Sequence, residues 1–129
     1  MDEKEFKNRT KNLALRTITL IESLPSKTSA DIIGKQLLRS ATSVGANYRA
    51  ACRAKSTADL SSKLSVVEEE ADESMYWLEL LEDSGLMKKS KLEKLNNDFN
   101  ELVSMVVASI KTLRTNKDES KIQNLKSKI

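Results

Sequence analysis

Histidine is absent from this 129-residue chain, and its absence removes a whole class of chemistry. Serine and cysteine hydrolases of the His-dependent type are excluded, as are the usual zinc ligand sets. Cys52 is the single cysteine, so no intramolecular disulfide can form. Its alanine-rich helical setting marks it as a small buried hydrophobe rather than a reactive thiol. Three glycines and one proline leave too little turn chemistry for an all-β fold. Aromatic residues make up 4% of the chain, so the core must be mainly aliphatic. No apolar run approaches the length of a membrane span or a secretory signal. The expectation is one cytoplasmic domain, not associated with a membrane, with no cofactor and no metal.

What is present is charge, sorted along the chain. The net charge of +3 hides three blocks. Residues 1–56 carry 11 Lys and Arg against 5 Asp and Glu, while residues 57–83 set Lys63 against nine acids. Residues 84–129 return to 10 Lys and Arg against 5 acids. Such a basic–acidic–basic order lets helices or subunits attract one another, and it also gives a basic surface for an anionic partner.

The hydrophobic pattern has a helical period throughout. Phe6, Leu13, Thr17, Leu20, Ile21 and Leu24 predict a first helix from about Glu3 to Leu24, closed by Pro25. Ile33, Leu37, Ala41, Val44, Tyr48 and Ala51 form the apolar line of a second helix, capped by Thr28 or Ser29. Ser56 and Asp59 open a third helix as a capping pair. Leu60, Leu64, Val67, Ala71, Ser74, Leu78 and Leu81 then alternate steps of four and three, a heptad seam suited to packing inside a bundle. Gly85 is placed to end it. Ser90-Lys-Leu-Glu93 reads as a capping box for a fourth helix, with Leu92, Leu95, Phe99, Leu102, Val106, Ile110 and Leu113 as its stripe. Four such helices with short loops specify an all-α, up-down-up-down four-helix bundle over residues 1–115. Residues 116–129 are expected as a frayed or disordered basic tail, with Ile122, Leu125 and Ile129 forming one short amphipathic turn.

Two sets of residues are candidates for function. On a wheel of 100° per residue, Lys35, Arg39, Arg49 and Arg53 gather on the face of the second helix opposite its apolar line. That stripe has no acid to balance it, and arginine suits bidentate pairing with carboxylate or phosphate. Its partner is either the acidic third helix, in the same or a neighbouring subunit, or a nucleic-acid backbone. No base-reading motif accompanies it, so nucleic-acid contact would be led by phosphate. The second set is Gly45, Tyr48, Tyr76 and Trp77, placed to serve helix or subunit interfaces through close approach or aromatic anchoring. The cluster Glu68, Glu69, Glu70, Asp72 and Glu73 lacks the facing Glu-x-x-His partners of a di-iron bundle and reads as a solvated or salt-bridged face. No catalytic constellation is present.

The run LLRSATSVGANYRAACRAKS, followed by DLSSKLSVVEEEADESMYWLELLEDSGL, resembles the bacterial 23S rRNA intervening-sequence proteins. The elements that carry the likeness are Arg39, Ala41, Ser43-Val44, Asn47, Arg53, Ser56, Lys63-Leu64, Glu69, Glu73 and Trp77-Leu78. One position departs: Ala50 stands where that family usually has an acid after Asn-Tyr-Arg. The chain is also similar to the accessory variability determinant of diversity-generating retroelements. The resemblance implies a homopentameric bundle and assigns no catalytic residue; together with the segregated charge it leads to the expectation of a non-enzymatic scaffold that binds RNA or DNA weakly. It makes Arg39 and Arg53 structural or anion-binding positions. The alternative is a protein-binding adaptor whose basic stripe serves ion pairing between subunits and binds no nucleic acid.

Overall fold

The computed structural model describes residues 2–127, with side chains through residue 116. Its first helix, α1 (Glu3–Glu22), begins where the Asp2 carboxylate accepts the Glu5 N–H at 2.8 Å. Two acids in the first turn, Glu3 and Glu5, favour the same end through the helix dipole. The helix stops two residues short of Leu24. Pro25 disfavours helical backbone in the residue before it, so the chain turns through Ser23 and Leu24 with N–H bonds to Leu20 and Ile21 carbonyls.

Helix α2 (Thr28–Ala51) starts earlier than its hydroxyl residues suggested. Lys27 occupies the N-cap and makes no side-chain cap bond; its carbonyl accepts the Asp31 N–H at 2.9 Å. Thr28 and Ser29 lie inside the first turn, where neither can cap. Helix α3 (Thr57–Asp83) opens as the sequence indicates. The Ser56 hydroxyl accepts the Asp59 N–H at 3.0 Å, and the Asp59 carboxylate accepts the Lys55 N–H at 3.2 Å. Gly85, at φ 77°, turns the chain out of α3, its N–H bonded to the Glu82 carbonyl.

Helix α4 (Lys89–Ser127) corrects a second cap. It begins one residue before Ser90, so the serine sits within the first turn and the Ser90–Glu93 box does not close. The α4 backbone stays helical past residue 115 to Ser127, through the stretch expected as a frayed tail. The apolar turn expected at Ile122, Leu125 and Ile129 lies outside the residues whose side chains are described.

The helices pack in chain order, α1 on α2, α2 on α3 and α3 on α4, with a thinner α1–α4 seam closing the ring. This is an up-down four-helix bundle. Every seam position of α3 from Leu64 to Leu81 is buried, and Leu60 is half-buried. Phe99 and Leu102 of α4 and Leu37 and Val44 of α2 meet that seam in one core. Among the described residues no helix is long and apolar enough to cross a membrane.

Among the described residues, one polar contact between helices sits inside the core. Ser40 and Ser74, both 0% exposed, bond across α2 and α3 at 2.8 Å. Each hydroxyl also reaches a carbonyl of its own helix. Each single alanine variant loses the bond between the helices but leaves the other hydroxyl its own-helix carbonyl, so Ser74→Ala should cost about 0.5–1.5 kcal/mol, and Ser40→Ala/Ser74→Ala together should cost less than the sum of the two single changes. Urea unfolding of the three variants measures the difference; additive losses would refute it.

Candidate nucleic-acid interface

Burial of the α2 apolar line fixes the rotation of that helix, and the stripe opposite it faces outward. Lys35, Arg39, Arg49 and Arg53 are all exposed. They are not equivalent. Arg39 lies on the α3 side of the helix, and its Nη1 donates to Glu70 at 3.1 Å while Nη2 donates to Glu73. Gln36 accepts from its Nε at 3.4 Å. The Glu73 hydrogen bond, with both carboxylates beside it, raises the guanidinium above its ordinary range. Arg39 thus joins α2 to α3 within one chain, and the acidic helix takes up one cation of the stripe.

Lys35, Arg49 and Arg53 form no ion pair with any described residue. On the helical wheel Arg49 falls next to Gly45, on the α1 side, and Lys35 points straight out; Arg53, expected on the same helix face, lies past Ala51, the last residue of α2, in the turn toward α3, where it is exposed. These three cations are the part of the stripe open to an external anion. Glu69 and Asp72, exposed on α3, are likewise outside the Arg39 contact. Among the described residues no group of three His, Cys, Asp or Glu side chains gathers in a way that would hold a metal.

The four interface candidates separate into two pairs. Gly45 lies on the α1–α2 seam: a Cβ there would stand 3.3 Å from Thr10 Oγ1, so its lack of a side chain lets the two helices approach. Tyr48 packs on Phe6 of α1 with ring centroids 4.4 Å apart. Trp77 packs against the core on the same face of α3 as Glu70 and Glu73, and its Nε1 is buried with no acceptor among the described residues. Tyr76, half exposed, meets it edge-on at 5.1 Å.

The sequence reading missed two inter-helix ion pairs and a cleft. Arg9 pairs with Glu101 at 2.9 Å and Arg16 with Asp98 at 2.7 Å, holding the thin α1–α4 seam. The signal was there in the heptad spacing of Arg9 and Arg16, but their facing helix was not identifiable. At the end of the bundle near the α2–α3 loop lies an open cleft of about 830 Å³, floored by Phe6, Tyr48, Leu64 and Val106. Burial, aided by the neighbouring Cys52, pushes the Tyr48 hydroxyl well above the usual tyrosine range. It stays a neutral phenol at ordinary pH and offers no base.

A four-helix bundle with one cation-bearing face and one acidic face is the class these features define. The chain belongs to the 23S rRNA-intervening sequence protein family, whose model matches residues 2–108. A solved relative is a protein of unknown function from the S23 ribosomal protein family of Bacteroides thetaiotaomicron. It is 36% identical, with a TM-score of 0.79 over 86% of this chain and 99% of that one. No curated protein matches the chain at a significant level.

Two outcomes follow from the charges. Arg39→Gln should lower the melting temperature slightly at low salt and not at all near about 1 M salt, where charges are screened within about 3 Å; a large, salt-independent drop would contradict the exposed geometry. Tyr48 holds its proton more tightly folded than unfolded. Its stabilising contribution is complete below the unfolded value of about 10 and fades as pH rises toward the higher folded value. Tyr48→Phe should therefore flatten the alkaline loss of stability above about pH 10, read by melting temperature against pH.

Proposed function

We propose that this protein is a non-enzymatic, cytoplasmic oligomeric scaffold that binds RNA or DNA weakly through phosphate contacts. The observation that carries this reading is the splitting of the α2 stripe. The acidic helix takes Arg39, and Lys35, Arg49 and Arg53 face solvent with no carboxylate partner among the described residues. Exposed cations of this kind release counterions when they meet a phosphate backbone, and they do so without reading bases. The scaffold is a homo-oligomer, a pentamer by the family likeness. Its subunit contact uses the outer α3 surface at Tyr76, where a large ring is half exposed, with the partly buried Trp77 ring beneath it.

A second reading has its own support. Arg39 meets Glu70 and Glu73 in a geometry that Arg49 or Arg53 could repeat with a neighbouring subunit's α3, making the protein an adaptor that binds proteins and no nucleic acid.

Fluorescence anisotropy with labelled single-stranded RNA separates the two. Affinity should fall steeply between about 50 and 200 mM salt, and a Lys35→Ala/Arg49→Ala/Arg53→Ala variant should lower the slope of log K against log salt by about 2. Light scattering on the same samples reads the assembly. Loss of the oligomer in that variant, with no RNA bound by either form, would establish the adaptor instead. Absent or salt-insensitive RNA binding discards the nucleic-acid reading.

A further inference from the structure

A second cationic site lies at the other end of the bundle, between the last turns of α1 and the first turns of α4. It is a cleft of about 360 Å³. Its polar lining consists of three cations, Arg16, Lys91 and Lys94, and two hydroxyls, Thr19 and Ser23. No carboxylate lines it, although the described clefts elsewhere on the bundle include acids in their walls.

The arginine keeps one edge of donors free. Nη1 of Arg16 donates to Asp98 at 2.7 Å and to Asn12 at 3.4 Å, which leaves Nε and Nη2 without a partner among the described residues. Neither of those nitrogens is among the buried unpartnered atoms, so both remain open to solvent. Lys91 and Lys94 are exposed and make no ion pair with a described residue. The hydroxyls add no donors, because Thr19 and Ser23 donate to the Leu15 and Leu20 carbonyls. The free donors are thus an arginine edge and two ammonium groups, the set that receives a tetrahedral oxyanion.

The lysines are also placed against the local rule. Lys88, Lys89, Lys91 and Lys94 crowd the opening of α4, whose first turn holds no acid. Positive charge there opposes the helix dipole. A structural role would be to complement the C-terminal end of α1, whose last turn has no cation of its own.

We propose that the cleft between α1 and α4 binds a phosphate group, held by Arg16, Lys91 and Lys94 and carried by a nucleic-acid strand or a free nucleotide. The site does not rest on the α2 stripe, which lies on another face. The test compares wild type with Lys91→Gln/Lys94→Gln and with the charge-keeping Lys91→Arg/Lys94→Arg. The probes are a labelled single-stranded RNA, by anisotropy, and ADP and inorganic pyrophosphate, by calorimetry. The Gln variant should bind about tenfold more weakly at low salt and lose about 1.4 from the RNA salt slope, two contacts at about 0.7 each; the Arg variant should bind as wild type. Loss confined to RNA assigns the site to a strand, and loss for ADP and pyrophosphate assigns it to free phosphate groups. Wild type that binds none of the probes overturns the proposal. So does a Gln variant that binds them as wild type does, and if it also melts lower, the lysines serve the end of α1. A stripe variant without effect beside a weakened Gln variant would remove the α2 reading and leave this one standing.

Discussion

The rotation of α3 about its own axis is the constraint on which the surface depends. Leu64, Val67, Leu78 and Leu81 must all face inward, and burying each side chain is worth roughly 1.5–3 kcal/mol. Turning the helix by one residue would expose most of them, at a cost of order 10 kcal/mol. Exposed ion pairs contribute about an order of magnitude less. Charges therefore follow the seam rather than set it. With the seam inward, Glu70 and Glu73 fall on the α2 side, and Arg39 stands within reach. Glu69 and Asp72, on the same helix, are carried out to solvent.

That hierarchy explains what could be read from the sequence. A buried seam imposes a period that any helical wheel detects, so the core of α3 and α4 was legible almost residue by residue. The outward direction of Lys35, Arg39 and Arg49 follows from the same wheel, whereas Arg53 is exposed in the turn that follows α2. Helix starts were less legible. Thr28, Ser29 and Ser90 have cap chemistry, yet a hydroxyl residue in the first turn has the same local sequence as one at the cap. What decides between them is the geometry of the preceding turn, set by Pro25 in one case and Gly85 in the other. The Arg9–Glu101 and Arg16–Asp98 pairs were beyond reach for a different reason. They join helices far apart in sequence, and their pairing depends on how the ring of four closes.

Trp77 illustrates a trade within one side chain. Its ring helps to cover the core from the face of α3 that carries Glu70 and Glu73, while its Nε1 is buried with no acceptor among the described residues. A stranded donor of this kind costs about 1–3 kcal/mol, set against the apolar surface that the large ring covers. Tyr76 beside it leaves half of its own surface in water. That exposed ring, rather than the buried indole nitrogen, fits a surface completed by another copy, the contact proposed for the scaffold.

The opening of α4 is the other place where local chemistry disagrees with the fold. Near a helix N-terminus a cation is disfavoured by typically 0.3–1 kcal/mol, and no acid stands in the first turn of α4 to offset this. The other three helices open on acids: Glu3 and Glu5 in α1, Asp31 in the first turn of α2 and Asp59 in that of α3. Three helices of one bundle with acidic starts, and a fourth with lysine at 88, 89, 91 and 94, point to a local departure rather than to composition. Stability given up at one end of one helix is most simply recovered when an anion occupies it. The same argument does not extend to Arg39, whose charge is already met by Glu70 and Glu73. Arg39 has a partner at each of its nitrogens and holds the bundle together, whereas Lys91, Lys94 and the edge of Arg16 that Asp98 leaves free are the donors that remain for a partner.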